Sequence, residues 1–375
     1  MKKTSEQKIS KATKESTIEN KLKSKKKSVK VAFFRPYTPE EHAGRLCGPQ
    51  RLVADLIEHL PAHYQPISFL SSKHKPLSLK EHEIFIKNDT FLFFRLIYAV
   101  RNYNPHILHA HGSLNTALGL RLLVKMLKLV DKNVKSVLTF TDFKKNFTTN
   151  YTILNNLDAI IVQSTFAKEK LIQKGVNPEK IQVILYGIDQ PRVPVKVNST
   201  IRNLGSKIML YYGDARVERG FQVLLDALPL LREDIFVLLC LRNIHPPFQL
   251  GDIKQKISAR KNTKLLFVKE YPCSTEEIIQ SSDLVVLPFI HNTLEPPLTI
   301  LEVSAQGKPL ITTDVGGIKE VISSHTVLLE KITAAELAEK INQHDFAKKD
   351  VALVIYSWHK AIHEIEKIYG RLGTN

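Results

Sequence analysis

Short continuous apolar runs recur along this chain, at residues 29–34, 64–70, 136–141, 207–212, 235–241, 264–268, 284–288 and 309–313. Each is the length of a strand and lacks the polar alternation of a half-wet sheet, so strands buried on both faces are expected. Between them lie stretches with helical spacing, at 50–60, 91–103, 114–130, 221–230, 274–282, 298–306, 334–343 and 351–372. Strand and helix alternate throughout, which predicts an α/β chain with parallel sheets covered by helices. The pattern breaks at 190–206, where Pro191, Pro194 and Gly205 stand among few periodic apolar positions. A linker is placed there. The expected organisation is a tail at 1–28, a first domain at 29–190, the linker at 191–206, a second domain at 207–350 and a terminal helix segment at 351–375.

The chain's 375 residues suffice for two domains, and 43% hydrophobic with 24% charged residues excludes a fibrous or wholly disordered chain. Cys47, Cys240 and Cys273 are too few and too scattered for a disulfide framework or a zinc cluster, so a reducing compartment is expected. No run of eighteen uncharged apolar residues occurs, and the N-terminus lacks the apolar core of a signal peptide. The expectation is a cytoplasmic protein that does not span a membrane. The net charge of +17 is uneven, for residues 1–30 hold eleven lysines against three glutamates. Such a stretch cannot bury enough apolar surface to fold alone. It reads either as a solubilising arm or as a peripheral contact with anionic lipid at the inner face of a membrane. Nucleic acid ranks last, because the tail has no interleaved aromatics to stack on bases.

The densest chemistry lies at 283–322. Pro296 and Pro297 open the helix 298–306, and proline is tolerated there because first-turn N–H groups have no intrahelical partner. Leu298 and Thr299 therefore present amides at a positive helix end, a ready phosphate site. Glu302 follows on the same helix and can accept hydrogen bonds from sugar hydroxyls. Gly316 and Gly317 begin the next helix and serve either a ligand or simply a tight turn. Upstream, Gly48 and Pro49 form a second phosphate-compatible turn into a helix. In PHILHAHG, alternation puts His109 and His111 on one face of a strand, but no third metal ligand is evident. The basic helix 114–130 either rests on a membrane surface or covers a sheet.

The segment ILEVSAQGKPLITTDVGGIKEVI, residues 300–322, resembles the signature of the retaining GT-B glycosyltransferases of family 4, group 1. LDAIIVQS at 157–164, IQVILYGID at 181–189 and YSWHKAIHEIEKIYGRL at 356–372 resemble the same family. The resemblance implies two Rossmann-like parallel-sheet domains facing a cleft, with the terminal helix crossing back to the first domain and Trp358 packing there. It implies transfer of a sugar from a nucleotide-sugar donor to a lipid-linked, polysaccharide or similar hydroxyl acceptor in glycan biosynthesis. No cofactor and no metal are expected, since cationic side chains and helix ends stabilise the leaving diphosphate and no Asp-x-Asp pair occurs.

Residue by residue, the resemblance implies that Arg219, with Leu298 and Thr299, holds the diphosphate and that Glu302 holds the ribose. Glu295 and Thr141 contact the transferred sugar, His111 contacts sugar or acceptor, and Gly48 neighbours the ligand. In GDARVERG, residues 213–220, Gly213 begins the donor loop and Arg219 stands where the family typically has lysine. Asp214 stands where the family has arginine, which sets a carboxylate beside the diphosphate unless a cation or Arg216 intervenes. Thr141 stands where the family usually has histidine, and only six residues separate Glu295 from Glu302 where seven are normal. With three positions altered, the alternative is a catalytically impaired homologue that binds nucleotide or partners an active transferase.

Overall fold

The computed structural model describes residues 28–36, 48–72, 79–128, 133–141, 150–188, 195–268, 273–291, 296–323, 326–347 and 356–374. The basic tail, Cys47, Glu295 and residues 189–194 of the expected linker region lie outside them.

The first half of the chain builds β1 (Val29–Pro36), α1 (Gly48–His59), β2 (Tyr64–Ser72), β3 (Glu83–Lys87), α2 (Leu92–Tyr103), β4 (Ile107–Gly112), α3 (Leu114–Lys128) and β5 (Lys135–Phe140). It continues with β6 (Ala159–Val162), α4 (Thr165–Gln173) and β7 (Ile181–Val183). These strands form one seven-stranded sheet in the order β3-β2-β1-β4-β5-β6-β7. β1, β2 and β5 coincide with expected apolar runs, and β4 and β6 are buried along almost every position. β3 was not expected from the pattern. It is an edge strand with only Ile86 fully buried, so its residues need no continuous apolar run.

After a one-turn helix, α5 (Ser199–Arg202), come β8 (Ile208–Ala215), α6 (Phe221–Ala227), β9 (Phe236–Ile244), α7 (Leu250–Ser258), β10 (Thr263–Phe267) and α8 (Thr275–Gln280). Then follow β11 (Leu284–Leu287), α9 (Leu298–Ala305), β12 (Leu310–Thr313), β13 (Val327–Leu329), α10 (Ala334–Gln343) and α11 (Trp358–Tyr369). The second sheet has six strands in the order β10-β9-β8-β11-β12-β13, with every assigned pairing parallel. All eight positions of β8 are buried. The fold is thus α/β with two Rossmann-like parallel sheets.

The structure moves several element bounds. α5 falls inside the stretch expected as linker, where the Asn198 side chain accepts from Ile201 N–H at 3.2 Å and starts a turn of helix. The helix expected after Gly317 is a single 3-10 turn, Ile318–Val321. α7 and β13 were not anticipated, and α11 begins at Trp358. α8 starts with a reciprocal cap in which Ser274 Oγ accepts from Glu277 N–H at 3.2 Å and Glu277 Oε2 accepts from Ser274 N–H at 2.9 Å.

The chain divides into two compact units. The described residues within 28–111, 118–138 and 362–374 make up one, and those within 112–117 and 139–361 the other. In the first, Tyr369 of α11 is fully buried, 5.6 Å from the Tyr64 ring and hydrogen-bonded to His109. In the second, β8, β9, β11 and β12 carry a core with α6 and α9 packed on it. Burying each Leu or Ile side chain there contributes roughly 1.5–3 kcal/mol. Among the described residues no helix is long and apolar enough to cross a membrane.

Candidate functional site

In the second sheet the strand order reverses between β8 and β11, and ligands of open α/β sheets bind outside the carboxyl ends of strands at such a point. The residues there follow from the sequence GDARVERG. Gly213 takes φ +131°, and the register against β9 slips between Gly213 and Ala215, where two residues of β9, Arg242 and Asn243, stand opposite Asp214. Gly220 takes φ +66°, and a Cβ on it would lie 1.8 Å from the Pro288 carbonyl oxygen. Only glycine fits where these two backbones touch. The loop after β11 is tied to the same turn, since Ile290 and His291 N–H donate to the Glu218 carbonyl at 2.9 and 3.0 Å.

This stitching sets the Arg219 guanidinium 5.3 Å from the centroid of the buried Phe289 ring. Its Nη1 lies 2.6 Å from where a Cβ on Gly213 would be, and it is buried without a hydrogen-bond partner among the described residues. A buried cationic N–H without a partner is costly unless an acceptor reaches it. Beyond the same strand ends, α9 begins after Pro297, whose carbonyl accepts from Ile300 N–H at 2.9 Å. Leu298 and Thr299 occupy its first turn, and Thr299 Oγ1 is likewise buried without a partner among the described residues. Tyr212 of β8 links strand to helix. Its Oη shares its one proton between the Thr299 carbonyl at 2.7 Å and Glu302 Oε2 at 3.0 Å, which ties that carboxylate to the strand.

Asp214 is 3% exposed and does not stand alone. Arg242, at the carboxyl end of β9, donates to it bidentately, Nε to Oδ1 at 2.9 Å and Nη2 to Oδ2 at 3.1 Å. Arg216 Nε is 3.4 Å and His245 Nε2 3.5 Å from Oδ2. Burial pushes the Asp214 carboxyl up, but the Arg242 hydrogen bonds and the charges of Arg242, Arg219 and Arg216 outweigh it, leaving its pKa below the ordinary value. Sequence reasoning had named only Arg216 as a counter-charge. It missed Arg242, Tyr212 and Phe289, although an arginine ending a buried apolar strand, as in LLCLRN, was a usable signal.

The structure therefore sets Gly213, Asp214, Arg216, Arg219, Leu298, Thr299 and Glu302 on the segments that end or follow the central strands β8 and β11 of one sheet. His111 and Thr141 belong to the other sheet. His111, on β4, is 6% exposed and stacked on His109 with centroids 4.7 Å apart, and burial pushes its pKa down to about 3. It is a neutral imidazole near neutral pH. Thr141 directly follows β5, is 5% exposed, and its N–H donates to the Gly112 carbonyl at 3.2 Å. Gly48 is the first residue of α1. Among the described residues no three His, Cys, Asp or Glu side chains are grouped as metal ligands.

Residues 206–344 match the family described as "Glycosyl transferases group 1", and residues 47–192 match "Glycosyltransferase Family 4". Together the two matches span most of the chain. The chain belongs to the group 1, family 4 glycosyltransferases. No curated protein sequence matches this glycosyltransferase. Solved structures share its GT-B fold. HepE from Anabaena, in complex with UDP and glucose, is 17% identical, with 92% of this chain and 98% of that chain covered and a TM-score of 0.68. A glycosyltransferase from Rickettsia africae is 18% identical over 92% and 98% of the two chains, at a TM-score of 0.70. The catalytic domain of starch synthase IV from Arabidopsis thaliana, bound to ADP and acarbose, is 14% identical over 93% and 100%, at 0.65.

Proposed function

We propose that this glycosyltransferase moves a sugar, with retention and without a metal, from a nucleotide-sugar donor to a lipid-linked, polysaccharide or similar hydroxyl acceptor. The observation that carries this reading is the buried Nη1 of Arg219, without a hydrogen-bond partner among the described residues, at the point where the strand order reverses. As the bond between the sugar's C1 and the diphosphate breaks, negative charge grows on the leaving oxygens. Arg219 and the amides of Leu298 and Thr299 supply donors for that charge from fixed positions. The acceptor oxygen bonds to C1 on the same face, and its proton passes to the departing diphosphate. Glu302, oriented by Tyr212, takes the ribose hydroxyls. Glu295, Thr141 and His111 are assigned to the sugar and acceptor, and Gly48 to the ligand's neighbourhood. HepE, with UDP, and starch synthase IV, with ADP, show that the fold accommodates nucleoside diphosphates.

A second reading, a catalytically impaired homologue that binds nucleotide or partners an active transferase, draws on the carboxylate at Asp214. The test is thermal stability against a panel of nucleoside diphosphates and their sugars, with and without magnesium, followed by assay for sugar release or transfer. Stabilisation without metal together with turnover supports the active reading. Stabilisation without turnover under any acceptor supports the second.

Peripheral contact with an anionic membrane completes the proposal. Phe91, Phe94 and Tyr98, at helical spacing on and just before α2, are 61%, 67% and 69% exposed, with Arg95 and Arg101 on the same helix. Aromatics beside cations suit an anionic lipid interface. Co-sedimentation with phosphatidylserine vesicles, absent with neutral ones and weakened by Phe94→Ser, is the expected result.

A further inference from the structure

The family-typical arginine after the first glycine of the donor loop would be a cation pointing at the diphosphate. In this chain the position is a carboxylate, yet the charge around it is not negative. Asp214 is buried and held at both ends. Its carbonyl accepts from the buried Tyr211 Oη at 2.8 Å, and its carboxylate takes the Nε–Nη2 edge of Arg242. The register slip brings this about, for the extra residue on β9 sets Arg242 and Asn243 opposite Asp214. The end of β9 is itself anchored, since His245 N–H donates to the Ala215 carbonyl at 3.1 Å. Arg216 Nη2 lies 3.4 Å from His245 Nδ1, and its Nε pairs with the Asp214 carboxylate at 3.4 Å by charge without a hydrogen bond.

Counting Arg242, Arg216 and Arg219 against Asp214, three guanidinium groups share one carboxylate. The cluster keeps a surplus of two positive charges, the sign and size that suit a diphosphate. Arg242 and Arg216 have side chains 34% and 36% exposed, while that of Asp214 is 5% exposed. The carboxylate is thus the buried root of the cluster and the arginines are its accessible heads. An arginine on a flexible stem loses rotamer freedom when it grips an anion, and a carboxylate that fixes it beforehand removes that cost.

We propose that Asp214 is a positioning residue that holds Arg242 and Arg216 as diphosphate-binding cations, so that a two-residue relay replaces the single arginine of the family pattern. The proposal rests on the donor-site reading above, and its test separates the two. Affinities for a nucleoside diphosphate and for the matching nucleoside monophosphate are measured by calorimetry on the full chain, using whichever base stabilises the wild type most. Arg242→Met and Asp214→Asn are expected to weaken the diphosphate at least tenfold and the monophosphate less than threefold, because the lost cations serve the terminal phosphate. Arg216→Met is expected to act in the same direction, and Arg242→Lys to recover part of the loss. The double variant Asp214→Asn/Arg242→Met is expected to be no weaker than the worse single one, since both changes break one network. Where Asp214→Asn does not fold, Arg242→Lys and Arg216→Met, which leave the buried carboxylate in place, decide the matter. Unchanged diphosphate affinity in the arginine variants overturns the proposal, as does an equal loss of both nucleotides. If Arg219→Ala abolishes binding while the arginine variants do not matter, only this proposal falls. If the wild type binds no nucleoside diphosphate, the donor-site reading falls and takes the proposal with it.

Discussion

His109 Nδ1 and Tyr369 Oη lie 2.7 Å apart in the buried interior of the first unit, although 260 residues separate them along the chain. The bond fastens the last turn of α11 to the middle of β4. Tyr369→Phe keeps the ring and its edge contact with Tyr64 but removes the hydroxyl. A loss of about 1–3 kcal/mol in unfolding free energy is expected, the cost of depriving a buried polar group of a partner. Urea denaturation of the wild type and the variant measures it.

The same histidines set the acid limit of stability. Burial, and then the charge of His111, push the His109 pKa well below its ordinary 6.5, and burial alone pushes His111 down to about 3. The unfolded chain therefore binds protons that the folded chain refuses, so stability falls as pH drops below 6.5. His344, lowered by burial, adds the same sign. Asp214, with its pKa below 3.8, keeps its contribution until the pH falls beneath that value. Melting temperature is expected to decline from pH 6.5 towards pH 4, and His111→Asn is expected to flatten that slope.

Gly220 and Gly251 give opposite expectations for the same substitution. A Cβ at Gly220 would strike the Pro288 carbonyl oxygen at a backbone with φ +66°, whereas a Cβ at Gly251 in α7 meets nothing within 4 Å. Gly220→Ala is expected to cost more than about 1–3 kcal/mol in stability. It is also expected to abolish nucleotide-induced stabilisation, because the turn carries Arg219. Gly251→Ala is expected to raise stability by about 0.4–1 kcal/mol. Thermal melts with and without a nucleoside diphosphate report both effects.

Arg219 and Glu302 separate the two ends of the donor. Arg219→Ala is expected to lower kcat for sugar transfer by about 10²–10³, the usual loss for a fixed donor to developing charge. Arg219→Lys retains part of the rate. Glu302→Gln is expected to raise KM for the nucleotide sugar, and to do so less for the 2′-deoxyribose donor. Tyr212→Phe, which leaves the carboxylate in place but removes the hydroxyl beside it, is expected to produce a milder form of the same change. Steady-state kinetics with both donors distinguishes these outcomes.

The alternation of elements was legible in the sequence, as were β8, β11 and β12, because a strand buried on both faces is apolar along most of its length, with Asp214 in β8 and Thr312 and Thr313 in β12 the buried polar exceptions. The start of α9 was legible as well, since proline constrains its own residue and the turn after it. α10 was read with its observed bounds, and Thr333 caps it through a bond to Glu336 N–H only three residues away. The edge strands β3 and β13 were not, for half-exposed strands carry no continuous apolar run. Local chemistry also placed Leu298, Thr299 and Glu302 in one motif, and the family resemblance placed Gly213 and Arg219 in another, and the second sheet carries both.

What the sequence determined by itself is therefore what neighbours in the chain decide: strand or helix, cap, turn, and the glycine-bounded loop that sets Arg219. Only the tertiary structure decided which charges meet. Asp214 reads in sequence as an unfavourable carboxylate beside a phosphate site, and in space it roots two arginines. That difference arises because an ion pair depends on strand register and on a one-residue bulge, which no spacing along the chain encodes.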